Sequence, residues 1–304
     1  MVTASLQRKK VASSAIVHTL LILLCIIWSL PTLGVLVTSF RPSDEVTRTG
    51  WWKILTEEGG GATLDNYRQV LAGKDYSFTN AEGERVEASG DSLLSAFLNS
   101  VTVTIPAMII PILIAAFAAY GFAWLEFPGR KILFTGVVAI LVVPLHISLI
   151  PILRDYQALQ LNGTFLRIWL AHPGFGLPLA TYLLFNYIST IPRSIMESAF
   201  IDGASHFKTF IRLILPLSMP ALASFAIFQF IWVWNDLIVA LVFMGAGAQN
   251  AVITQRLLNM AGTRGQDWHL LTSGAFISMI LPLIVFFALQ RYFVRGLLAG
   301  SVKG

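Results

Sequence analysis

The chain has 304 residues, 56% of them hydrophobic and only 12% charged, with a formal net charge of +5 and a mean hydropathy of +0.72. Soluble domains carry about 25% charged residues, so this composition excludes an ordinary soluble enzyme and places the chain in a membrane. The lysines and arginines sit at the edges of apolar runs rather than in a cluster, which gives no basis for nucleic-acid binding.

Six apolar runs are long enough to cross a hydrocarbon core of about 30 Å, a distance that takes about 20 helical residues. In chain order they cover residues 14–40, 97–124, 132–153, 168–191, 220–245 and 273–289. The expected fold is therefore an all-α membrane protein of six transmembrane helices. A short N-terminal segment (1–13) precedes the first helix, a loop (41–96) follows it, and residues 97–295 hold the other five. Residues 296–304 form a C-terminal tail.

Arg8-Lys9-Lys10 before the first run resembles the charged start of a signal peptide, but the charge-free stretch 11–40 is too long for a cleavable one. It reads as a retained span. Cys25, the single cysteine, lies inside it and is expected to be a small packing residue; one cysteine permits no intrachain disulfide.

The loop 41–96 carries ten acidic residues between positions 41 and 95 and is solvated. Gly59-Gly60-Gly61 reads as a flexible link. Residues 63–71 predict a helix with Leu64, Tyr67, Val70 and Leu71 on one face. Residues 77–79 and 85–86, flanking Asn80-Ala81-Glu82-Gly83, predict a short hairpin. The loop is too small for a catalytic domain and suits a cap over a pore mouth or a contact with an external partner.

Pro31, Pro106, Pro111, Pro144, Pro151, Pro173, Pro178 and Pro282 fall inside or at the ends of the spans. Each removes a backbone hydrogen bond, which a bundle tolerates where neighbouring helices or water take the freed carbonyl. Bent helices of this kind suit a transporter.

Between the fourth and fifth runs, residues 192–217 form a polar, helix-forming island. Ser194-Ile195-Met196-Glu197 has the spacing of a capping box, with Pro192 just ahead of it. Gly203 permits a sharp turn. His206 to Leu213 can make a second short helix with Phe207, Phe210, Ile211 and Ile214 on its apolar face, ended by Leu215-Pro216. Taken alone, this is a surface helix-turn-helix in which Glu197 only caps.

The full register is more specific. Glu197-Ser198-Ala199, three residues, Gly203, nine residues and then Leu213-Ile214-Leu215-Pro216 resembles the Glu-Ala-Ala coupling loop of ATP-binding-cassette transporter permeases. Ser198 replaces the usual alanine and Leu213 the usual isoleucine, both small changes. Further stretches resemble carbohydrate importers of the maltose type, nearest their smaller six-span permease. These are Ser39-Phe40-Arg41-Pro42, Ala119-Tyr120-Gly121-Phe122-Ala123, Phe127-Pro128-Gly129-Arg130-Lys131, Trp234-Asn235-Asp236, Arg291-Tyr292-Phe293, Arg295-Gly296 and Gly300. The long external loop is closer to α-glucoside systems. Together the resemblance covers roughly residues 95 to 304, plus Ser39-Phe40-Arg41-Pro42 after the first span.

The resemblance implies a type I importer permease fold in the bacterial inner membrane, with both termini and the loop 192–217 in the cytoplasm. Lys and Arg counts favour that orientation only slightly. It implies ATPase coupling through Glu197, Ser198, Ala199, Asp202, Gly203, Ala204, Leu215 and Pro216. Glu197 would pair with a basic residue of the ATPase, and Gly203 would set the angle between the two helices. Implied partners are a second permease subunit, an ATPase dimer, an extracytoplasmic solute-binding protein, a sugar substrate and membrane lipids. No Gly-x-x-x-x-Gly-Lys-[Ser/Thr] phosphate loop occurs, so ATP–Mg belongs to the partner ATPase subunits and this chain binds no cofactor.

Asp236 is the one acid well inside a predicted span. About sixteen residues from Pro220 at about 1.5 Å each place it some 24 Å along the helix, toward the external mouth. Trp234, Asn235 and Asp236 offer an aromatic surface, an amide and a carboxylate, which suits a translocation pathway for sugar; the other reading is a tie to a neighbouring helix. An alternative function makes Asp236 the ion site of a gradient-driven transporter, but such folds commonly show paired internal repeats, and none is seen. His18, His146 and His172 lie on three spans without metal-ligand spacing and are expected to be packing residues. No His-Glu-x-x-His or Gly-x-Ser-x-Gly motif offers protease or lipase chemistry.

Overall fold

The computed structural model describes residues 2–56, 61–73, 75–79, 85–89, 92–161, 163–245, 247–261 and 267–301. These form two compact units, Met1–Ser92 with Asn259–Ile277, and Leu93–Leu258 with Ser278–Gly304.

The first unit begins with α1 (Val2–Ser39), a helix broken by no charge after its first turns and passing through Pro31. From residue 14 on, its apolar side chains are exposed nearly all round, as a lipid-facing span requires. Cys25 shares that exposure, so it is not the packing residue its size suggested: on a helix apolar in every direction, most positions face lipid.

Below α1 the chain folds back on itself through α2 (Ser43–Arg48), a 3-10 turn (Trp51–Leu55) and α3 (Asp65–Ala72). Asn66 Nδ2 donates to the carbonyls of Ser39 (2.9 Å) and Arg41 (2.8 Å). Tyr67 Oη and Ser39 Oγ are 2.7 Å apart, and Ser273 Oγ donates to the Ser39 carbonyl at 3.0 Å. Arg41 is buried and donates to the carbonyls of Thr49 and Glu45. Of the predicted face of α3, Tyr67 and Val70 do face inward, the Tyr67 ring 5.1 Å from that of Phe40. Asn66 and Val70 are buried, whereas Leu64 and Leu71 are exposed, because the side chain satisfying two carbonyls at the end of α1 must point inward.

The expected hairpin forms and is longer than its apolar core suggested. β1 (Asp75–Thr79) pairs antiparallel with β2 (Arg85–Ser89), Asp75 opposite Ser89 and Thr79 opposite Arg85. Gly59, Gly60 and the hairpin tip Asn80-Ala81-Glu82-Gly83 lie outside the described residues.

The second unit is built on α4 (Leu93–Trp124) and α7 (Leu166–Ile188), which pack along each other, with α11 (Met219–Trp234) across both. Gly176 on α7 makes the last crossing possible: a Cβ there would stand 2.7 Å from Gln229 Oε1 on α11. Gln229 in turn donates to the Ala107 carbonyl on α4 at 3.2 Å.

The third predicted span is not continuous. α5 (Arg130–Ala139), with a 3-10 turn Ile140–Val142, meets α6 (Leu145–Ala158) at 105°. Pro144 sits at the corner, where its ring disfavours helical backbone at Val143, whose ψ is 118°. The fifth span is broken as well, since α12 (Ile238–Met244) follows α11 only after a gap at 235–237. The remaining helices are α8 (Arg193–Ile201), α9 (His206–Thr209), α10 (Leu215–Leu217), α13 (Ile253–Ala261) and α14 (Trp268–Ser301). Among the described residues four helices can cross a membrane by length and composition, or up to six if residues 130–158 and residues 206–234, each a bent pair of helices, count as one span apiece.

Two apolar clusters organise this unit. One joins Ala115, Ala119 and Tyr120 of α4, Ala180, Leu184 and Ile188 of α7, and Leu222 and Phe225 of α11. The other joins Val103 and Ala107 of α4, Ile168 and Ala171 of α7, Val233 of α11, and Val239, Ala240 and Phe243 of α12.

Candidate functional site

The island 192–217 folds as two helices at a sharp turn. α8 starts directly after Pro192, which has φ −59° and ψ 135°. Ser194 is therefore already helical, and a capping residue needs extended backbone. The expected capping box does not form: Ser194 instead offers its carbonyl to Ser198 Oγ at 2.8 Å, and Glu197 is exposed. Helix α8 ends in a Schellman turn. The amide of Ala204 donates to Ala199 O (2.9 Å) and that of Gly203 to Phe200 O (3.0 Å). Gly203 has φ +75°, the left-handed conformation such a turn demands. Asp202 is the residue before it and is exposed.

Ser205 is the cap that sequence reasoning missed. Its backbone is extended and its Oγ accepts from the amide of Lys208 at 3.3 Å; a serine just past a glycine turn was the available signal. The second helix then runs from His206 to Leu217 through a π-turn at Phe210–Ile214. Leu215-Pro216 does not end it. Proline is tolerated in the first turn of α10, and the bend of 71° comes at Ser218.

The apolar face expected for this helix is split. Phe210 and Ile214 are buried, while Phe207 and Ile211 are exposed. Met196, Phe210 and Ile214 join the first apolar cluster. The Phe210 ring lies 4.4 Å from that of Phe117 and 5.2 Å from that of Tyr120. Tyr120 Oη and His206 Nδ1 are 2.9 Å apart, and Tyr187 Oη donates to Leu217 O at 3.3 Å. The outer side keeps Ile201 (85% exposed), Phe207 (66%) and a shallow depression of about 550 Å³ between the two helices. Asp202, Ala204, Lys208 and Arg212 line that depression, with Ser198 and Ala199. One face of the loop is thus welded to the bundle, and the other presents apolar and charged groups to whatever lies beyond.

The structure separates the three residues Trp234, Asn235 and Asp236. Trp234 ends α11 and is buried. Its Nε1 donates to Ser278 O at 3.0 Å, and its ring stacks on Phe230 and meets Phe97 edge-on. Asn235 is exposed and donates to Ile231 O at 2.9 Å. Asp236 is not in the middle of a helix: it stands in the break, where its carboxylate faces the amides of Ile238, Val239 and Ala240, the last at 3.0 Å. A helix start within the span needs acceptors for its orphan amides, and Asp236 supplies them. Thr254 Oγ1 on α13 donates to the Asp236 carbonyl at 2.7 Å, and Gln255 Nε2 donates to Gly245 O at 2.8 Å. Among the described residues no group of three His, Cys, Asp or Glu could hold a metal ion.

Residues 91–298 match the family described as binding-protein-dependent transport system inner membrane component. The chain is 54% identical to the osmoprotective compounds uptake permease protein GgtD of Synechocystis sp., over 94% of this chain and 91% of the relative. It is 45% identical to the alpha-glucoside transport system permease protein AglG of Rhizobium meliloti, over 95% of this chain and 97% of the relative. In fold it matches a chain of a bacterial ABC transporter involved in the import of the acidic polysaccharide alginate. The TM-score there is 0.71 at 17% identity, covering 92% of this chain and 96% of that one.

Proposed function

The chain belongs to the family of binding-protein-dependent transport system inner membrane components, and on that footing we propose that it is the permease subunit of an ATP-driven importer for a sugar or small oligosaccharide, an α-glucoside by class. The observation that carries the coupling is the two-faced loop 192–217. Its inner residues Met196, Phe210 and Ile214 belong to the same cluster as α4, α7 and α11. Its outer residues Ile201 and Phe207 are left exposed by the described residues. Exposed apolar groups beside charges mark a docking surface.

In this reading the ATPase seats on the outer face of α8 and the helix that follows. Glu197, Ser198, Ala199, Asp202, Gly203 and Ala204 form the seat, and Leu215-Pro216 leads into the span. ATP–Mg bound between two ATPase subunits draws them together and pulls the docked loops with them. Because the inner face is packed into the bundle, a displaced loop carries α4, α7 and α11 with it. Energy passes only through contacts that differ between the two end states. A second permease subunit completes the pathway, and an external solute-binding protein delivers the sugar. Both termini and the loop lie in the cytoplasm, and the segment 41–96 lies outside.

The gradient-driven alternative has no support in the family match, whose description is of binding-protein-dependent transport. Purification of the chain with its co-purifying subunits, followed by reconstitution into vesicles, tests the proposal. Uptake of trehalose or maltose with ATP supplied to the ATPase side and no ion gradient is the expected result. Uptake that follows an ion gradient without ATP would overturn it.

A further inference from the structure

The second loop helix carries two bases, Lys208 and Arg212, four residues apart and both exposed. At that spacing two side chains are neighbours on a helix surface. Nothing local favours them there. Like charges so placed repel, and Lys208 lies in the first turn after the Ser205 cap, where a cation opposes the helix dipole. Among the described residues neither base makes an ion pair.

Both bases line the depression of about 550 Å³ between α8 and this helix, and Asp202 is the single acid among the described residues of its wall. Every residue of that wall belongs to the loop, and none to α4, α7 or α11. The depression is therefore a feature of the loop's outer side rather than of the lipid-facing surface of the bundle. Glu197 is exposed on α8 but takes no part in the wall. The loop thus offers a negative point and, apart from it, a positive recess, with Ile201 and Phe207 exposed on the same side.

We propose that the recess takes an aspartate or glutamate side chain of the ATPase subunit, held between the Arg212 guanidinium and the Lys208 ammonium. This contact rests on the docking reading above and adds to Glu197 a second charge contact of opposite sign. A guanidinium presents a planar fork that matches a carboxylate, and the ammonium adds a point charge. A carboxylate seated there offsets the repulsion between the two bases. The ATPase is then recognised by a two-sign pattern, a base opposite Glu197 and an acid opposite Lys208 and Arg212. Such patterns fix orientation and reject wrong partners more than they add affinity. An ATPase with a base at the second point would be repelled even where it could pair with Glu197.

The test uses the assembled permease–ATPase complex. A water-soluble carbodiimide joins Lys208 Nζ to a carboxylate in direct contact with it, with loss of water, and mass spectrometry of the digest identifies the acid. The expected product links Lys208 to an aspartate or glutamate of the ATPase. Lys208→Glu combined with Arg212→Glu should reduce co-purified ATPase about tenfold or more, and replacing the identified acid by lysine should restore most of it. Should the double reversal fail to insert, Lys208→Gln combined with Arg212→Gln carries the same loss. A photoreactive label on Ile201→Cys, in a Cys25→Ser background, reports independently whether the ATPase sits on the loop. If that label joins the ATPase, then either a missing Lys208 cross-link or undiminished ATPase in the reversed variant would overturn the recess contact alone. Loss of bound phosphatidylglycerol from the reversed variant, with the ATPase retained, would make the recess a lipid-headgroup site and overturn the contact as well. An Ile201 label that never joins the ATPase would overturn the docking reading, and the recess contact with it.

Discussion

Tyr120 Oη and His206 Nδ1 share a hydrogen bond of 2.9 Å across 86 residues of chain, joining the last turns of α4 to the first turn of the second loop helix. The His206 ring also packs against Phe200 of α8, with centroids 4.8 Å apart. A single exposed imidazole therefore touches both arms of the loop and a helix of the bundle.

Tyr120→Phe keeps the ring contacts and removes only that bond. A neutral hydrogen bond contributes about 0.5–1.5 kcal/mol net, so ATP-driven uptake should fall about 2- to 10-fold while the ATPase still co-purifies in normal amount. Uptake at the wild-type rate would show that this bond takes no part in transmission.

Glu197→Lys should leave the chain folded and inserted, because the Glu197 side chain is exposed and caps nothing in α8. If it pairs with a basic residue of the ATPase, removing one partner of such a pair costs about 2–5 kcal/mol. The ATPase should then be lost from the purified complex, and uptake with it. Stoichiometric ATPase in the variant would refute the docking role.

Gly203→Ala meets no steric obstacle, since no atom lies within 4 Å of where its Cβ would be. It should still lower loop stability by about 1–2 kcal/mol through its left-handed backbone. Gly203→Pro also deletes the amide that donates to Phe200 O and should abolish uptake. Thermal unfolding of the complex and uptake, measured together, rank the two.

Topology is tested with Ser205→Cys and Thr47→Cys, each in a Cys25→Ser background. Both positions are exposed. An impermeant thiol reagent applied to intact cells should label position 47 and spare 205. The reverse pattern would place the loop outside, away from any cytoplasmic ATPase.

Trp234→Phe should lower thermal stability by about 1 kcal/mol through the lost bond to Ser278 O. Sugar binding should not change, because the ring is walled in by Phe97 and Phe230. A tenfold change in affinity would place Trp234 in the pathway.

The sequence revealed the helices through their apolar length and the turn through Gly203, because both signals are local. What it concealed depends on tertiary satisfaction. Pro192 starts α8 two residues early, which leaves Ser194 inside the helix and unable to cap it. Asn66 joins Val70 on the inner face of α3, in place of Leu64 and Leu71, because two carbonyls at the end of α1 need its amide. Asp236 looked like an acid stranded in a continuous helix, and hydropathy cannot show that the helix stops there.

The two apolar clusters lie along the same helices but are divided by proline. On α4, Val103 and Ala107 belong to one cluster and Ala115 and Ala119 to the other, with Pro111 between them. On α7, Ile168 and Ala171 are separated from Ala180 and Leu184 by Pro173 and Pro178. A missing backbone hydrogen bond makes a helix easier to bend at that point. Two stiff nodes joined by compliant struts form a jointed frame: a push at the node holding the loop flexes the struts before it deforms either node. The node holding Val239 and Ala240 of α12 can then tilt as a unit, carrying the helix break with it undistorted.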